Sequence, residues 1–180
     1  MVREDEEWSN PMINWAYFPQ SDRPPELTLS VVSVFESNAA SIDSATHDTQ
    51  ISNDVLAKLA GDLVSLGFVV ETGKKREEKI HIPVLFGRNG AIAKSFEADA
   101  YHEAKGFVLE IEAGRGVTNF QFLKDLFQAC MMHSVKHLGV AVRNTYRGSK
   151  DFEKVFSFFD TLYKSNRLAL PLDGILLVGY

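Results

Sequence analysis

Two acidic segments in the middle of the chain decide the fold prediction: residues 94–101 (KSFEADAY) and residues 107–113 (FVLEIEA). Side chains along a β-strand point alternately to opposite faces, so Glu110 and Glu112 share one face and the apolar residues between them point to the other. We predict that the two segments pair as an antiparallel hairpin. In the register set by the intervening loop, Asp99 lies opposite Glu110, and the carboxylates of both strands meet on one surface.

Carboxylates that face each other across two strands repel, and a bound cation resolves the repulsion. Mg²⁺ is commonly held by one or two carboxylates together with water and substrate phosphate oxygens. We therefore predict that Asp99 and Glu110 bind Mg²⁺ or Mn²⁺ and that Glu112 orients or deprotonates the attacking water. The alternative is that these residues form only the solvated polar face of an ordinary hairpin.

Helices and strands are predicted on both sides of this hairpin. Apolar spacing and capping residues predict helices over residues 53–66, 119–132 and 152–164. Further strands are predicted at residues 27–35, 68–71, 80–86, 137–142 and 174–180. This order predicts an α/β fold with a mixed central sheet flanked by helices on both faces, in which residues 27–180 form a single domain and residues 1–26 an irregular N-terminal arm.

The order of elements, with an Asp closing one strand and Glu-X-Glu in the next, resembles the restriction-endonuclease-like nuclease superfamily, described by its PD-(D/E)XK motif. The resemblance covers about residues 53–145. Asp99 stands at the motif Asp, Glu110 at its second acidic position, and Glu112 where Lys is usual. Ala98 replaces the motif Pro. A Glu at the Lys position occurs in a minority of active members, including some Type II restriction enzymes.

The resemblance implies a metal-dependent nuclease and adds further site residues. Asp54, early in the first predicted helix, is similar to the acidic residue that many members place beside the metal. Gln128 matches a Gln that some members carry on the helix after the acidic strand, where Lys124 shares the same helix face. Lys105 in the hairpin loop is a candidate for the missing positive charge, with an ordinary solvated lysine as the alternative.

A basic loop after the strand at residues 137–142 is the predicted nucleic-acid contact. Arg143, Arg147 and Lys150 flank Tyr146, a pattern that suits phosphate contacts with a base stacked on the aromatic ring. An ordinary solvated loop is the alternative. The chain carries 19 Lys and Arg against 24 Asp and Glu, a net charge of −5, which excludes a binder held mainly by bulk positive charge.

The whole-chain composition sets the protein class and the expected compartment. The chain has 180 residues, 45% of them hydrophobic, which is typical of one globular domain. Cys130 is the only cysteine, so no internal disulfide is expected, and a reducing compartment is favoured. The acidic N-terminus does not resemble a secretory signal, and no apolar run approaches the ~20 residues of a membrane span. We therefore expect a cytoplasmic protein without a membrane partner.

These observations lead to two functional hypotheses. The first is metal-dependent phosphodiester hydrolysis of nucleic acid by a DNA endonuclease, with DNA favoured over RNA as the partner. The second is a catalytically inactive protein of the same fold that acts as a binding or assembly module. The aromatic helix over residues 152–164 fits either a deep core or a homodimer surface. The chain has no separate recognition domain, so sequence specificity would require loops, a second subunit or another protein.

Overall fold

The computed structural model describes residues 12–114 and 117–180. The helices are α1 (Glu26–Ile42), α2 (Ser52–Ser65), α3 (Gln121–Met131) and α4 (Asp151–Ser165). The strands are β1 (Asn14–Phe18), β2 (Val69–Val70), β3 (Ile80–Phe86), β4 (Ile92–Ala98), β5 (Ala100–His102), β6 (Phe107–Glu112), β7 (His137–Val142) and β8 (Gly174–Gly179).

Six of these strands form one mixed sheet in the order β1-β8-β7-β6-β5-β2. β6, β7 and β8 run parallel at its centre, whereas β1, β5 and β2 join their neighbours antiparallel. The central strands are almost entirely apolar because helices cover both faces of the sheet. The predicted α/β fold with a mixed sheet flanked by helices is therefore confirmed.

Alternation along the central strands divides the core into two layers. Leu109 and Ile111 of β6 pack with α1 and α2 on one face. Val108 packs with α3 and α4 on the other face. Glu110 and Glu112 have the same parity as Val108, so their side chains point toward the α3 face of the sheet.

The strand predicted at residues 27–35 is wrong, because these residues begin helix α1. Val31, Phe35, Ala39 and Ile42 are buried at helical spacing, while Leu29, which the strand would have buried, is exposed. The β-branched residues favour a strand locally, but packing against α2 overrides that weak preference.

The N-terminal arm, expected to be irregular over residues 1–26, contains an ordered strand. β1 pairs antiparallel with β8 and forms an edge of the main sheet. Residues 1–11 lie outside the described residues. Phe18 of this strand is fully buried among α4 side chains and Tyr17 is buried, whereas Trp15 is exposed.

The acidic hairpin has the predicted register but is interrupted once. Ala100 pairs with Leu109 and His102 with Phe107, closing across the Glu103–Lys105 turn. The segment before Asp99 instead belongs to β4, which pairs with β3 as a separate two-stranded sheet. Asp99 therefore occupies the point where the chain leaves one sheet and enters the other.

The aromatic helix predicted over residues 152–164, expected to be either deep core or a homodimer surface, is helix α4, and one side of it belongs to the core. Phe152, Val155 and Phe159 are buried against the sheet, whereas Phe156 is partly exposed and Phe158 is exposed. Within the described part of the chain, no helix has both the length and the apolar character needed to cross a bilayer.

Candidate active site

A cavity of about 400 Å³ opens between β4, the end of β6 and helix α3. Six of the side chains that line it are carboxylic acids and two are lysines. The acids are Glu71, Glu97, Asp99, Glu110, Glu112 and Asp125, and the lysines are Lys79 and Lys124. Asp99, Glu110 and Glu112, the three predicted catalytic residues, are thus brought to one cavity.

Backbone hydrogen bonds fix Asp99 at the junction between the two sheets. The Ile111 N–H donates to Asp99 Oδ2 at 2.8 Å. The Glu71 N–H donates to the Asp99 carbonyl oxygen, also at 2.8 Å. Burial raises the pKa of Asp99 to about 6, and the Glu71 charge adds to this effect, while the hydrogen bond from Ile111 opposes it. The hydrogen bond from Ile111 thus fixes the carboxylate and favours its ionised form, while burial disfavours that form.

Glu110 and Glu112 enter the cavity from the same strand. Burial raises the pKa of Glu110 well above its ordinary value, and the charges of Asp99, Asp125 and Glu112 raise it further. Glu112 is anchored through its backbone, because Tyr180 Oη donates to the Glu112 carbonyl oxygen at 3.2 Å. The carboxylates therefore destabilise one another's charged forms, which is the electrostatic situation that a cation relieves.

Asp125 completes the acidic cluster from helix α3, and the sequence analysis did not identify it. The protonation of the Glu112 carboxyl and that of the Asp125 carboxyl influence each other. Burial, with the charge of Asp125, raises the pKa of Glu112 to about 8. Burial raises the pKa of Asp125 to about 6, whereas Lys124 and the hydrogen bond from Glu112 lower it. Asp125 Oδ2 is buried, and it has no hydrogen-bond partner among the described residues.

Two lysines approach this cluster from different directions. Lys124, one residue before Asp125, favours the ionised forms of Asp99, Glu110, Glu112 and Asp125 through its charge. Lys79 Nζ is 2.8 Å from Glu71 Oε2 and 3.7 Å from Glu97 Oε2, and the hydrogen bond to Glu71 raises the pKa of Lys79. The charge of Lys124 thus acts on all three predicted catalytic residues, while Lys79 is engaged by Glu71.

The structure places two predicted residues outside this cavity. Asp54 Oδ2 accepts the Ile51 N–H at 3.0 Å, so Asp54 caps helix α2 and does not join the acidic cluster as a metal ligand. Ser52 lines the cavity in its stead, with its Oγ accepting the Ala113 N–H at 3.0 Å. Lys105 lies exposed in the hairpin turn and does not line the cavity, whereas Gln128 does.

A second cavity, of about 810 Å³, adjoins the first and shares Ser52 and Glu112 with it. Tyr146 lines this cavity between two cations: the Arg143 guanidinium lies 5.1 Å and the Arg147 guanidinium 5.2 Å from its ring centre. Arg147 is exposed and faces this cavity. The basic loop thus places one accessible arginine and one aromatic ring beside the acidic cluster.

The other two residues of the predicted phosphate contact behave differently. Arg143 is only 4% exposed, and its Nη1 donates to the Asp48 carbonyl oxygen at 2.6 Å while Nη2 donates to that of Gln50. Arg143 is therefore a structural residue, which corrects its assignment as a phosphate contact. Lys150 is exposed but lines a separate cavity with Asn14 and Phe152, so the three cations do not form one contact surface.

The donor set determines which ions the site suits. Among residues 12–114 and 117–180, no three His, Cys, Asp or Glu side chains are arranged to hold a metal ion together. An ion here would rely on one or two carboxylates, with water or substrate oxygens completing its shell, which is the ligand pattern of Mg²⁺ and not that of structural zinc.

Comparisons with protein-family models, curated proteins and solved structures found no match.

Proposed function

We propose that the protein is a Mg²⁺-dependent phosphodiesterase that cleaves DNA, with a fold of the restriction-endonuclease-like kind. One observation carries the proposal: Asp99, Glu110, Glu112 and Asp125 crowd into one open cavity, and burial raises the pKa of each. A purely structural polar surface would leave these groups in water at their ordinary pKa values. Perturbed carboxyls gathered in a cleft are typical of functional sites.

The residues present fit Mg²⁺ or Mn²⁺. Carboxylate oxygens are hard donors, and the buried Asp125 Oδ2 lacks a partner among the described amide, hydroxyl and amino donors. Asp99 and Glu110 would hold the ion, as their repulsion in its absence indicates. The ion would supply Lewis-acid stabilisation of the phosphoryl oxygens and lower the pKa of bound water.

The chain's own groups then have separable roles. Glu112 in its ionised form accepts the proton of the attacking water, and the charge of Lys124, which lowers the pKa of Glu112, favours that form. Lys124 offsets negative charge on the scissile phosphate, and so supplies a positive charge to a site in which Glu112 stands at the position of the motif Lys. The Ile111 N–H keeps Asp99 aimed into the cavity.

The adjoining cavity fits the continuation of the nucleic-acid strand. A chain of phosphates leaving the acidic cluster past Glu112 meets the exposed Arg147 beside Tyr146. Arginine contacts the phosphates, and the aromatic ring provides a stacking surface for a base. The local positive charge explains how a protein of net charge −5 would hold a polyanion.

A catalytically inactive binding module is the second candidate. Two observations favour it: no described trio of side chains is arranged to hold a metal ion, and Glu112 stands where the motif has Lys. In such a protein the acidic cluster would be a remnant that binds neither Mg²⁺ nor Mn²⁺ specifically, and the basic loop would bind its partner without hydrolysis.

Calorimetric titration with Mg²⁺ and Mn²⁺ separates the two candidates. We expect the wild-type protein to bind either ion at one site, and Glu110→Gln to lose that binding. Glu112→Gln should still bind the ion but lose hydrolysis. Glu103→Gln, an exposed acid in the nearby turn, is the matched control and should behave as wild type. Absence of specific binding to the wild-type protein would favour the inactive module.

A further inference from the structure

The β3–β4 hairpin, here called the ribbon, stands apart from the six-stranded sheet. Its base is anchored in the protein core by Ile82 and Ala98, which are buried. The outer half, residues 85–94, is exposed at every position. The ribbon is thus attached to the core at its base, and its outer half projects into solvent.

The outer half of the ribbon carries large apolar side chains that are exposed to water. Leu85 and Ile92 are each 60% exposed, and Phe86 is 52% exposed. The Phe86 ring packs edge-on against His133 with centres 5.2 Å apart, which supports the tip from one side. Several large apolar side chains held in water on one projection mark a contact surface for another molecule.

The charge of the ribbon selects the kind of molecule. Within the ribbon, residues 80–96 contain Arg88 and Lys94 and no Asp or Glu, although the chain as a whole has a net charge of −5. The one acid of the ribbon, Glu97, lies at its base, where its Oε2 is 3.7 Å from Lys79 Nζ. Arg88 and Lys94 are both exposed. The outer half of the ribbon therefore offers a positive surface without acids in an acidic protein, and this complements a polyanion.

The course of β4 connects this surface to the candidate active site. Residues 95–99 of the same strand segment line the acidic cavity. At about 3.3 Å per residue, the path from Asp99 to Ile92 extends for about 23 Å, or roughly seven base pairs at 3.4 Å each. A duplex with its scissile phosphate in the cavity would therefore run along the ribbon.

The shape of the ribbon favours duplex DNA. The major groove of B-DNA admits a two-stranded β-ribbon, whereas the deep, narrow major groove of an RNA duplex does not. The β3–β4 register shifts between Pro83 and Phe86, and such irregularities increase the twist of a ribbon. Arg88 and Asn89 at the tip have the side chains that pair with guanine and adenine edges, and the apolar residues suit thymine methyl groups.

We propose that the ribbon enters the DNA major groove beside the cleavage site and determines sequence preference through Arg88 and Asn89. This inference rests on the proposed nuclease function. It assigns a recognition element within the described residues.

The test compares cleavage of a long duplex DNA of known sequence, with Mg²⁺, by the wild-type protein and by the double variant Arg88→Ala, Asn89→Gly. Asn89 has φ 58°, so glycine preserves the turn while removing the amide. The matched control is Arg167→Ala, Asn166→Gly, because Asn166 is also an exposed asparagine with positive φ (51°), beside an exposed arginine. Sequencing of all cut ends gives the sequence preference, and sedimentation gives the oligomeric state.

We expect the ribbon variant to cut its preferred sites at least about tenfold more slowly and to lose sequence preference, with the control unchanged. Unaltered preference and rate in the ribbon variant, or cleavage by the wild type without any preference, would overturn the inference while leaving the nuclease function intact. A wild-type dimer that the ribbon variant converts to a monomer would also overturn it, because the tip would then contact a second copy. A wild-type protein that neither binds nor cleaves any DNA would overturn the nuclease function itself.

Discussion

Replacing Asp99 by Asn should stabilise the metal-free protein at pH 8 and change it little at pH 4. Burial raises the pKa of Asp99 from its ordinary value of 3.8 to about 6. A carboxyl whose pKa is raised by folding contributes stability that is fully present below the unfolded-state pKa and is lost as the pH rises through the folded-state pKa. The contribution of Asp99 to the free energy of unfolding of the wild-type protein should therefore be lost as the pH rises from about 4 to about 7.

The size of the effect follows from the same two values. The difference of about 2 between 3.8 and about 6 corresponds to about 3 kcal/mol, at about 1.4 kcal/mol for each pKa unit. Asparagine keeps a side-chain oxygen that can accept the Ile111 N–H, so the hydrogen bond at 2.8 Å survives. We expect a gain of about 1–3 kcal/mol at pH 8, because part of the surrounding repulsion relaxes in the wild type.

Urea unfolding in EDTA at pH 4, 6 and 8 measures this difference. Asp54→Asn is the matched control, since Asp54 accepts the Ile51 N–H at the start of helix α2, outside the cavity, and asparagine keeps a side-chain oxygen that can accept it. Adding Mg²⁺ at pH 8 should stabilise the wild type and not Asp99→Asn. A destabilised Asp99→Asn protein at pH 8, or a difference that does not vary with pH, would refute the electrostatic account of the cluster.

Three further predictions concern the cations and the hairpin turn. Lys124→Ala should lower the turnover number for DNA at least about tenfold by removing charge compensation, while Lys124→Arg retains most activity; similar turnover in all three proteins would argue against this role. Arg143→Ala should lower the free energy of unfolding in urea by about 3 kcal/mol, because two buried charged hydrogen bonds are lost. Arg147→Ala should leave that free energy unchanged and reduce the salt dependence of DNA affinity by about one phosphate contact. The same unfolding free energy and the same salt dependence in both variants would contradict their separate roles. Gly106→Ala should cost more than about 1 kcal/mol in thermal unfolding, because φ is 59° and an added Cβ would lie 2.3 Å from the Ser134 carbonyl oxygen; an unchanged melting temperature would show that the turn can relax.

The part of the site that could be predicted from the sequence is the part that depends on one strand and its neighbour. Strand alternation places Glu110 and Glu112 on one face without reference to any other element. The register of the hairpin follows from its short loop, so the alignment of Asp99 with β6 was also predictable.

Residues supplied by distant elements could not be predicted in the same way. Asp125 and Lys124 join the cluster because helix α3 packs against β6 and β7 with a particular rotation, which depends on the whole core. Glu71 and Lys79 meet beside Asp99 because the chain leaves the main sheet after β2, forms the ribbon and returns.

Arg143 shows the opposite error. Its position in a basic loop after a strand is typical of a phosphate contact, but carbonyl oxygens of the α1–α2 connection, almost a hundred residues earlier, accept its hydrogen bonds. The strand predicted at residues 27–35 failed for a similar reason, since burial at helical spacing along α1 is set by its packing against α2.

Hydrolysis of duplex DNA by the purified protein, with Mg²⁺ and with EDTA, tests the central claim most directly. Wild-type protein, Asp99→Ala, Glu110→Gln and Glu112→Gln should be prepared identically and assayed on supercoiled plasmid. We predict cleavage by the wild type with Mg²⁺, none with EDTA, and loss of cleavage in all three variants. Equal cleavage by the wild type and the variants, or no cleavage by a wild-type protein that is folded and supplied with Mg²⁺ or Mn²⁺, would contradict the assignment of this acidic cluster as a nuclease active site.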